Sequence, residues 1–134
     1  MPEATQTKPI VREQWVNARP ETVFAFFVEP EKATRWLAAE VVADPRPGGV
    51  YEQVHVDHDG VRHLMRGSFI ALEPPSRLVF AWDFGGGDST VEVTLSPERG
   101  GTLVRLTHRD LPASVRADHE AGWKELLGRL AAAV

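Results

Sequence analysis

The residues best suited to chemistry are one glutamate and two histidines, Glu52, His63 and His108. The alternation of the strands predicts that all three point to the face that carries the large apolar side chains. A desolvated carboxylate or imidazole in such a place could move a proton or orient a ligand. A structural interpretation competes with this one, because Glu52 could lie at the sheet rim and His108 could bond a backbone carbonyl. Glu52 and His108 are therefore the candidate catalytic residues, and we favour binding over catalysis.

Metal and cofactor chemistry finds little support in the sequence. His55, His58 and His63 are close in sequence, but the predicted hairpin places His55 and His63 on opposite faces, so three ligands cannot converge. The chain has no cysteine, which excludes thiolate metal sites, disulfides and cysteine nucleophiles. It also has no glycine-rich phosphate loop with a lysine and no G-x-S-x-G motif. We expect neither a metal nor a cofactor.

A larger set of side chains could form the walls of an apolar cavity. The strand register and the C-terminal helix place them all on the inner side, where each could equally pack as ordinary core. Trp82 falls opposite Gly67, which indicates either close packing or room beside the backbone. The candidate ligand-binding residues are Trp36, Met65, Phe69, Phe80, Trp82, Val93, His108, Trp123 and Leu127.

The elements that position these residues follow from hydrophobic periodicity and turn residues. One strand is followed by two short helices, opened by Pro20 and Pro30. The pattern then changes to period two, and the chain ends in a long helix with an apolar stripe. The predicted strands are 10–16, 40–44, 49–57, 62–72, 76–83, 89–96 and 102–108, and the predicted helices are 20–29, 31–37 and 112–134.

The hairpin at Asp59-Gly60 sets the predicted register. A two-residue turn centred there pairs Val54 with Met65 and turns Val50, Val54 and Val56 inward. Gln53 and His55 then face solvent. Continuing the pairing across Pro74-Pro75 places Phe69 opposite Phe80 and Gly67 opposite Trp82, so one face collects most large apolar residues.

Composition and charge limit the classes of partner. The 134 residues carry 15 basic and 19 acidic side chains, a net charge of −4, with no basic stripe. We therefore expect no nucleic-acid binding. No apolar run is long enough to span a bilayer, and no apolar leader opens the sequence, so we expect no membrane insertion and a cytoplasmic location. Residues 1–8 are expected to form a flexible tail and residues 9–134 a single domain.

The chain resembles the START-like helix-grip superfamily, and more narrowly homologues of the C-terminal domain of the heat-shock-protein-90 ATPase activator. The resemblance covers roughly residues 9–132. It implies an α+β fold in which a strongly curved antiparallel sheet of six or seven strands grips the C-terminal helix. The stretches that carry it are RPETVFAFFVEPEKATRWL, RPGGVYEQV, GSFIALEPPSRLVFAW, GGTLVRLTH and HEAGWKELLGRL.

The resemblance also implies a function, although fold alone does not settle it. Members of the superfamily hold apolar ligands between the sheet and the long helix. We accordingly expect a small apolar ligand of lipid, polyketide or aromatic type, bound by a monomer or weak dimer. One alternative is a co-chaperone or stress-response protein with a chaperone as partner. A second alternative is a cyclase or hydrolase that acts in the same cavity.

Overall fold

The computed structural model describes residues 8–83 and 85–134, so most of the predicted tail, residues 1–8, lies outside the described residues. Eight antiparallel strands and three helices follow one another in nearly the predicted order. They are β1 (Ile10–Val16), α1 (Pro20–Val28), α2 (Pro30–Ala33), β2 (Glu40–Ala43), β3 (Tyr51–Val56), β4 (Arg62–Met65), β5 (Gly67–Glu73), β6 (Arg77–Asp83), β7 (Asp88–Glu98), β8 (Gly101–Arg109) and α3 (Ala113–Ala133).

The strands form a strongly bent sheet that is not closed. Five strands pair in the order β1-β8-β7-β6-β5, and three pair in the order β2-β3-β4. A bridge between Val50 and Ser68 continues the β3–β4 pairing into β5, so β4 and β5 are two halves of one predicted strand, bent at Arg66. The predicted α+β helix-grip architecture is confirmed.

Gly67 lies at the bend where the two groups of strands meet. A Cβ at this position would collide with the backbone carbonyl oxygens of Ala81 and Tyr51. Glycine is therefore required because two neighbouring strands approach the backbone closely. Of the two interpretations for Gly67 opposite Trp82, the structure supports close packing.

The helices bury one face each against the inner side of the sheet. In α3 the residues Trp123, Leu127 and Leu130 follow one another at helical spacing and are buried. Burial of each such side chain contributes about 1.5–3 kcal/mol. Arg116 donates hydrogen bonds to the carbonyl oxygens of Lys8 and Pro9, which ties the start of α3 to the chain just before β1.

The predicted second helix is too long, because α2 ends at Ala33 and the chain then continues in turns. Backbone bonds from Trp36 and Leu37 back to Ala33 close these turns. The indole nitrogen of Trp36 donates to the carbonyl oxygen of Phe26 at 2.8 Å. This bond holds Trp36 in the core beside α1.

The predicted register of the β3–β4 hairpin is wrong by one residue. The loop has three residues instead of two, because Gly60 adopts a positive φ of 80° and the carboxylate of Asp57 accepts the backbone N–H groups of Asp59 and Val61. His55 consequently pairs with His63, and Val54 with Leu64.

A shift of one residue reverses both faces of β3. Tyr51, Gln53 and His55 point inward, so the predicted inward position of Glu52 is wrong. Glu52 shares the outer face with Val54, and so does Leu64, which pairs with Val54 and is 54% exposed. The outer face of the three-stranded part therefore carries Val42, Val54 and Leu64 beside charged residues, where the sequence analysis expected a polar face.

The predicted register of the five-stranded part is largely confirmed. Gly67 pairs with Trp82 and Phe69 with Phe80 as expected. A bulge after Phe69 moves Ala71 opposite Val79 instead of the predicted Leu78. The predicted inner rows of β7 and β8 are buried, namely Val91, Val93, Leu95, Val104, Leu106 and His108.

Candidate functional site

A mostly apolar opening into the described part of the molecule lies between β3, β6 and α3, where β4 bends away from β6. It is a cleft of about 210 Å³, which we call the indole cleft. Wider clefts of about 340 Å³ and 270 Å³ adjoin it on the β4 side and beside the turns after α2. His55 lines all three of these clefts. The indole cleft is lined by His55, Trp82, Asp118, His119, Gly122, Trp123 and Leu126.

The elements around the indole cleft leave room for a flat group. Gly122 faces the cleft from α3, and a Cβ placed on it would meet nothing within 4 Å. The rings of Trp82 and Trp123 lie 5.1 Å apart between centroids, at an interplanar angle of 55°. The small accessible parts of the two indoles, which are 8% and 2% exposed, and Leu126 therefore form a mostly apolar wall beside a helix position that carries no side chain.

The polar atoms of both indoles are satisfied by histidines. Nε1 of Trp82 donates to Nε2 of His119 at 3.2 Å, and Nε1 of Trp123 donates to Nδ1 of His108 at 2.9 Å. His119 in turn donates from Nδ1 to the carbonyl oxygen of Val115 at 2.9 Å. These bonds fix the ring orientations, because buried indole N–H groups need a partner.

His108 is sealed into the core. Its Nε2 lies 2.7 Å from Oγ of Ser89, whose hydroxyl donates to the carbonyl oxygen of Trp82 at 2.8 Å. His108 must then donate from Nε2 and accept at Nδ1, which is the neutral form. Burial, with a smaller effect of His119, lowers the pKa of His108 to about 3. Since both ring nitrogens are bound to protein groups, His108 cannot exchange a proton with a ligand.

His55 stands at the wall of the cleft with a different environment. Its Nε2 lies 2.8 Å from Oε1 of Gln53. Burial, followed by the charges of His63 and Arg129, lowers the pKa of His55 to about 4. The imidazole is therefore uncharged at neutral pH. Its ring lies 5.7 Å from that of Trp82, between centroids.

The argument that separated His55 from His63 is also corrected by the register. Because the two residues pair directly, they lie on the same face of the hairpin. His63 nevertheless turns to solvent and bonds Asp57 at 2.9 Å, while His55 bonds Gln53. Within residues 8–83 and 85–134 no group of three or more histidine, aspartate or glutamate side chains could hold a metal ion.

The structure divides the sequence-predicted site residues into three groups. Trp36, Met65, Trp82 and Trp123 line open clefts. Glu52 lies on the outer face of β3. The others are packed in the core, namely Phe69, Phe80, Val93, His108 and Leu127. The predicted chamber between sheet and helix is thus filled by side chains over much of its length.

Several residues of the site were missed by the sequence analysis. His119, Gly122 and Leu126 lie on the predicted apolar stripe of α3, and their spacing around Trp123 was the available signal. The predicted two-residue hairpin loop places Gln53 and His55 on the solvent face, which is why the sequence does not indicate them. The signal for the longer turn was Gly60, which is the third residue of the loop and ends the Asp-x-x-Gly sequence that begins at Asp57.

Comparison with known proteins establishes the class of protein. Residues 17–134 match the model of the family described as "Activator of Hsp90 ATPase homolog 1-like protein". The chain belongs to this family, and its fold is the one already described. A search of curated proteins found no match.

Solved structures of relatives share the fold over nearly the whole chain. An AHSA1-like protein from Aeromonas hydrophila is 29% identical with a TM-score of 0.81, covering 94% of this chain and 91% of that one. CalU16 from Micromonospora echinospora is 29% identical with a TM-score of 0.78, covering 93% and 74%. Protein CV1439 from Chromobacterium violaceum is 25% identical with a TM-score of 0.85, covering 94% and 96%.

A helix that crosses a bilayer must be both long and predominantly apolar. No helix in the described part of the chain is both long enough and apolar enough to cross a membrane.

Proposed function

We propose that this protein binds a small, mostly apolar ligand in the indole cleft. The observation that carries the proposal is the open apolar cleft formed by Trp82, Trp123 and Leu126 around Gly122. Binding sites for small molecules are concave and mostly apolar, with a few polar groups that fix orientation. The indole cleft has this character, and its indole N–H groups are already occupied by histidines.

The packing behind the cleft sets the size of the ligand. Phe69, Phe80 and Leu127 are nearly fully buried, and the hydroxyl of Tyr51 donates to the carbonyl oxygen of Phe27 at 2.5 Å deep in the core. With about 210 Å³ available, the cleft is smaller than a typical drug-sized site, at roughly 300–1,000 Å³. One or two aromatic rings therefore fit better than a long acyl chain, because the ring faces can lie against the indoles.

The proposal is tested by titrating the protein with naphthalene and following the indole N–H signals by NMR. We expect the Trp82 and Trp123 signals to shift, because both rings line the cleft, whereas Trp15 and Trp36 should not respond. Gly122→Leu should abolish binding by filling the cleft. Gly128→Leu is the matched control, since Gly128 also lies on α3 with open space around it but does not line the cleft. Equal loss of binding in both variants would contradict the proposal.

A second candidate function is contact with a chaperone of the Hsp90 type. The family description and the exposed outer-face residues Val42, Leu64 and Ile70 favour it. The test is stimulation of the chaperone's ATPase by the protein, with Leu64→Lys expected to remove the stimulation. An absence of stimulation by the unaltered protein would reject this candidate. Neither predicted catalytic residue supports an enzyme, because Glu52 faces outward and His108 is sealed.

A further inference from the structure

The amide of Gln53 is the most unusual polar group in the interior. Gln53 is only 1% exposed. Its Nε2 is the single buried side-chain nitrogen or oxygen in the described part of the chain that has no hydrogen-bond partner. Such a group is costly in a folded protein, because the bond to water is lost without replacement. A buried amide without a partner therefore needs an explanation.

The position of Gln53 connects the core to the cleft. Along the inner face of β3, Tyr51 lies in the core, His55 lies at the cleft wall, and Gln53 stands between them. Its neighbours across the strands are Val41 and Met65, whose side chains offer no acceptor stronger than a thioether sulfur, and neither accepts its N–H. Oε1 is bonded to His55, so the amide is in direct contact with a ring that lines the indole cleft.

The hydrogen-bonding capacity of the Gln53–His55 pair is the same in either orientation of the amide. If His55 donates from Nε2 to Oε1, the amide N–H and the His55 Nδ1 lone pair are left over. If the amide is turned round, its oxygen and a His55 Nδ1–H are left over. Because the amide nitrogen carries two N–H groups, two donors and one acceptor group remain in both cases, and His55 Nδ1 has no hydrogen bond to any group that the structure describes.

We propose that the Gln53–His55 pair is the polar recognition site of the indole cleft, and that it selects an uncharged aromatic ligand carrying a hydroxyl group. A phenolic hydroxyl supplies one donor and one acceptor, so it can engage the unused acceptor and one of the unused donors of the pair at the same time. The inference rests on the proposed function. An anionic group gains no ion pair from the uncharged His55 and loses its hydration on entering a buried site.

The experiment compares three ligands of one frame: naphthalene, 2-naphthol and 2-naphthoate. We expect 2-naphthol to bind about tenfold more tightly than naphthalene, because one or two added hydrogen bonds have about that effect. We expect 2-naphthoate to bind more weakly than 2-naphthol. Dissociation constants come from titrations of the Trp82 and Trp123 indole signals.

Two variants connect the preference to the pair. Gln53→Met keeps the volume and removes both polar atoms, so the advantage of 2-naphthol should disappear while naphthalene binds as before. The same variant should raise the melting temperature of the free protein, because an unsatisfied buried group is removed. His55→Phe keeps a ring against Trp82 and should also remove the preference. His63→Gln is the control, since His63 pairs with His55 across the hairpin but faces solvent.

The outcomes separate the two proposals. If none of the three ligands binds, the proposed function and this inference both fail. If naphthalene and 2-naphthol bind with equal affinity, the proposed function stands and the recognition site is disproved. The recognition site is equally disproved if 2-naphthoate binds best, or if Gln53→Met and His55→Phe weaken both neutral ligands to the same extent.

Discussion

The two parts of the sheet distribute polar and apolar side chains between their inner and outer faces in opposite ways. In the five-stranded part the inner rows are mostly apolar, with His108 fully hydrogen-bonded among them, and the outer face carries ion pairs. In the three-stranded part polar side chains, Gln53 and His55, point inward, while Val42 and Leu64 face solvent. The first arrangement is what stability alone favours. The second is energetically costly, and its inward-facing His55 lies in the wall of the indole cleft, opposite Trp82 of the five-stranded part.

The outer face of the five-stranded part shows how the rule is normally followed. Glu92 lies between Arg77 and Arg109, with side-chain bonds of 2.7 Å and 2.9 Å. The hydrogen bond from Arg77 has the largest effect in lowering the pKa of Glu92, and the hydrogen bond from Arg109 lowers it further. This network lies on the opposite side of the sheet from the buried rows. The strands that carry it therefore have one side toward solvent and one side toward the core.

The two inward histidines repeat the contrast at the level of single residues. His108 belongs to the five-stranded part, and both of its nitrogens are bound to protein groups. His55 belongs to the three-stranded part and keeps one nitrogen available beside a buried amide. A polar group that is fully satisfied stabilises a core, whereas one left incomplete marks a place where a ligand can complete it.

The largest effect is expected where the five-stranded part is packed most tightly. Phe80→Ala removes a ring that is 1% exposed and that contacts Tyr51 edge-on at a centroid distance of 4.9 Å. We expect the free energy of unfolding to fall by about 3–5 kcal/mol. Urea denaturation followed by circular dichroism measures it. A loss below about 1 kcal/mol would show that this region is packed no more tightly than the cleft.

The next effect tests the junction of the two parts. Gly67→Ala places a methyl group against the carbonyl oxygens of Ala81 and Tyr51, both of which belong to the backbone. The strands must separate at the bend, and we expect a loss of about 1–3 kcal/mol. Gly128→Ala, in open space on α3, is the control and should be neutral or slightly stabilising. Equal stability of the two variants would contradict the close approach.

An effect of intermediate size is expected in the pH dependence of stability, to which both inward histidines contribute. Their folded pKa values, about 3 for His108 and about 4 for His55, lie below the ordinary 6.5 because of burial. Below about pH 6.5 the unfolded chain therefore binds more protons than the folded chain. The free energy of unfolding falls for this reason as the pH decreases from about 6.5 towards 4. Each histidine contributes up to about 1.4 kcal/mol per pH unit in that range.

His55→Gln isolates one contribution. Urea denaturation at several values between pH 7.5 and 5 should give a stability that falls less steeply in the variant, by the share of one proton. This range lies above the titration of Asp57 and Glu92, whose lowered pKa values affect stability only in more acidic solution. Identical slopes for the two proteins would mean that His55 is not desolvated at the cleft wall.

The sequence was sufficient for the fold and for most of the five-stranded register, because proline and glycine mark its turns and its inner rows are apolar apart from a few polar residues such as His108. It was not sufficient for the cleft. The register of β3 depended on whether the loop after Asp57 has two or three residues, and the valines of β3 favoured the wrong answer. Hydrophobic patterning could not correct the error, since the true outer face is the more apolar one.

The smallest effect is expected on that outer face. Leu64 pairs with Val54 but remains 54% exposed, so Leu64→Thr removes little buried area and keeps a residue suited to strands. We expect the free energy of unfolding to change by no more than about 0.5 kcal/mol. The same substitution at an inner position, Leu106→Thr, should cost several times more, because Leu106 is fully buried. If the two variants lost equal stability, the valines and leucine of the outer face would be acting as a second core, and the exposed apolar surface of the three-stranded part would need no partner to explain it.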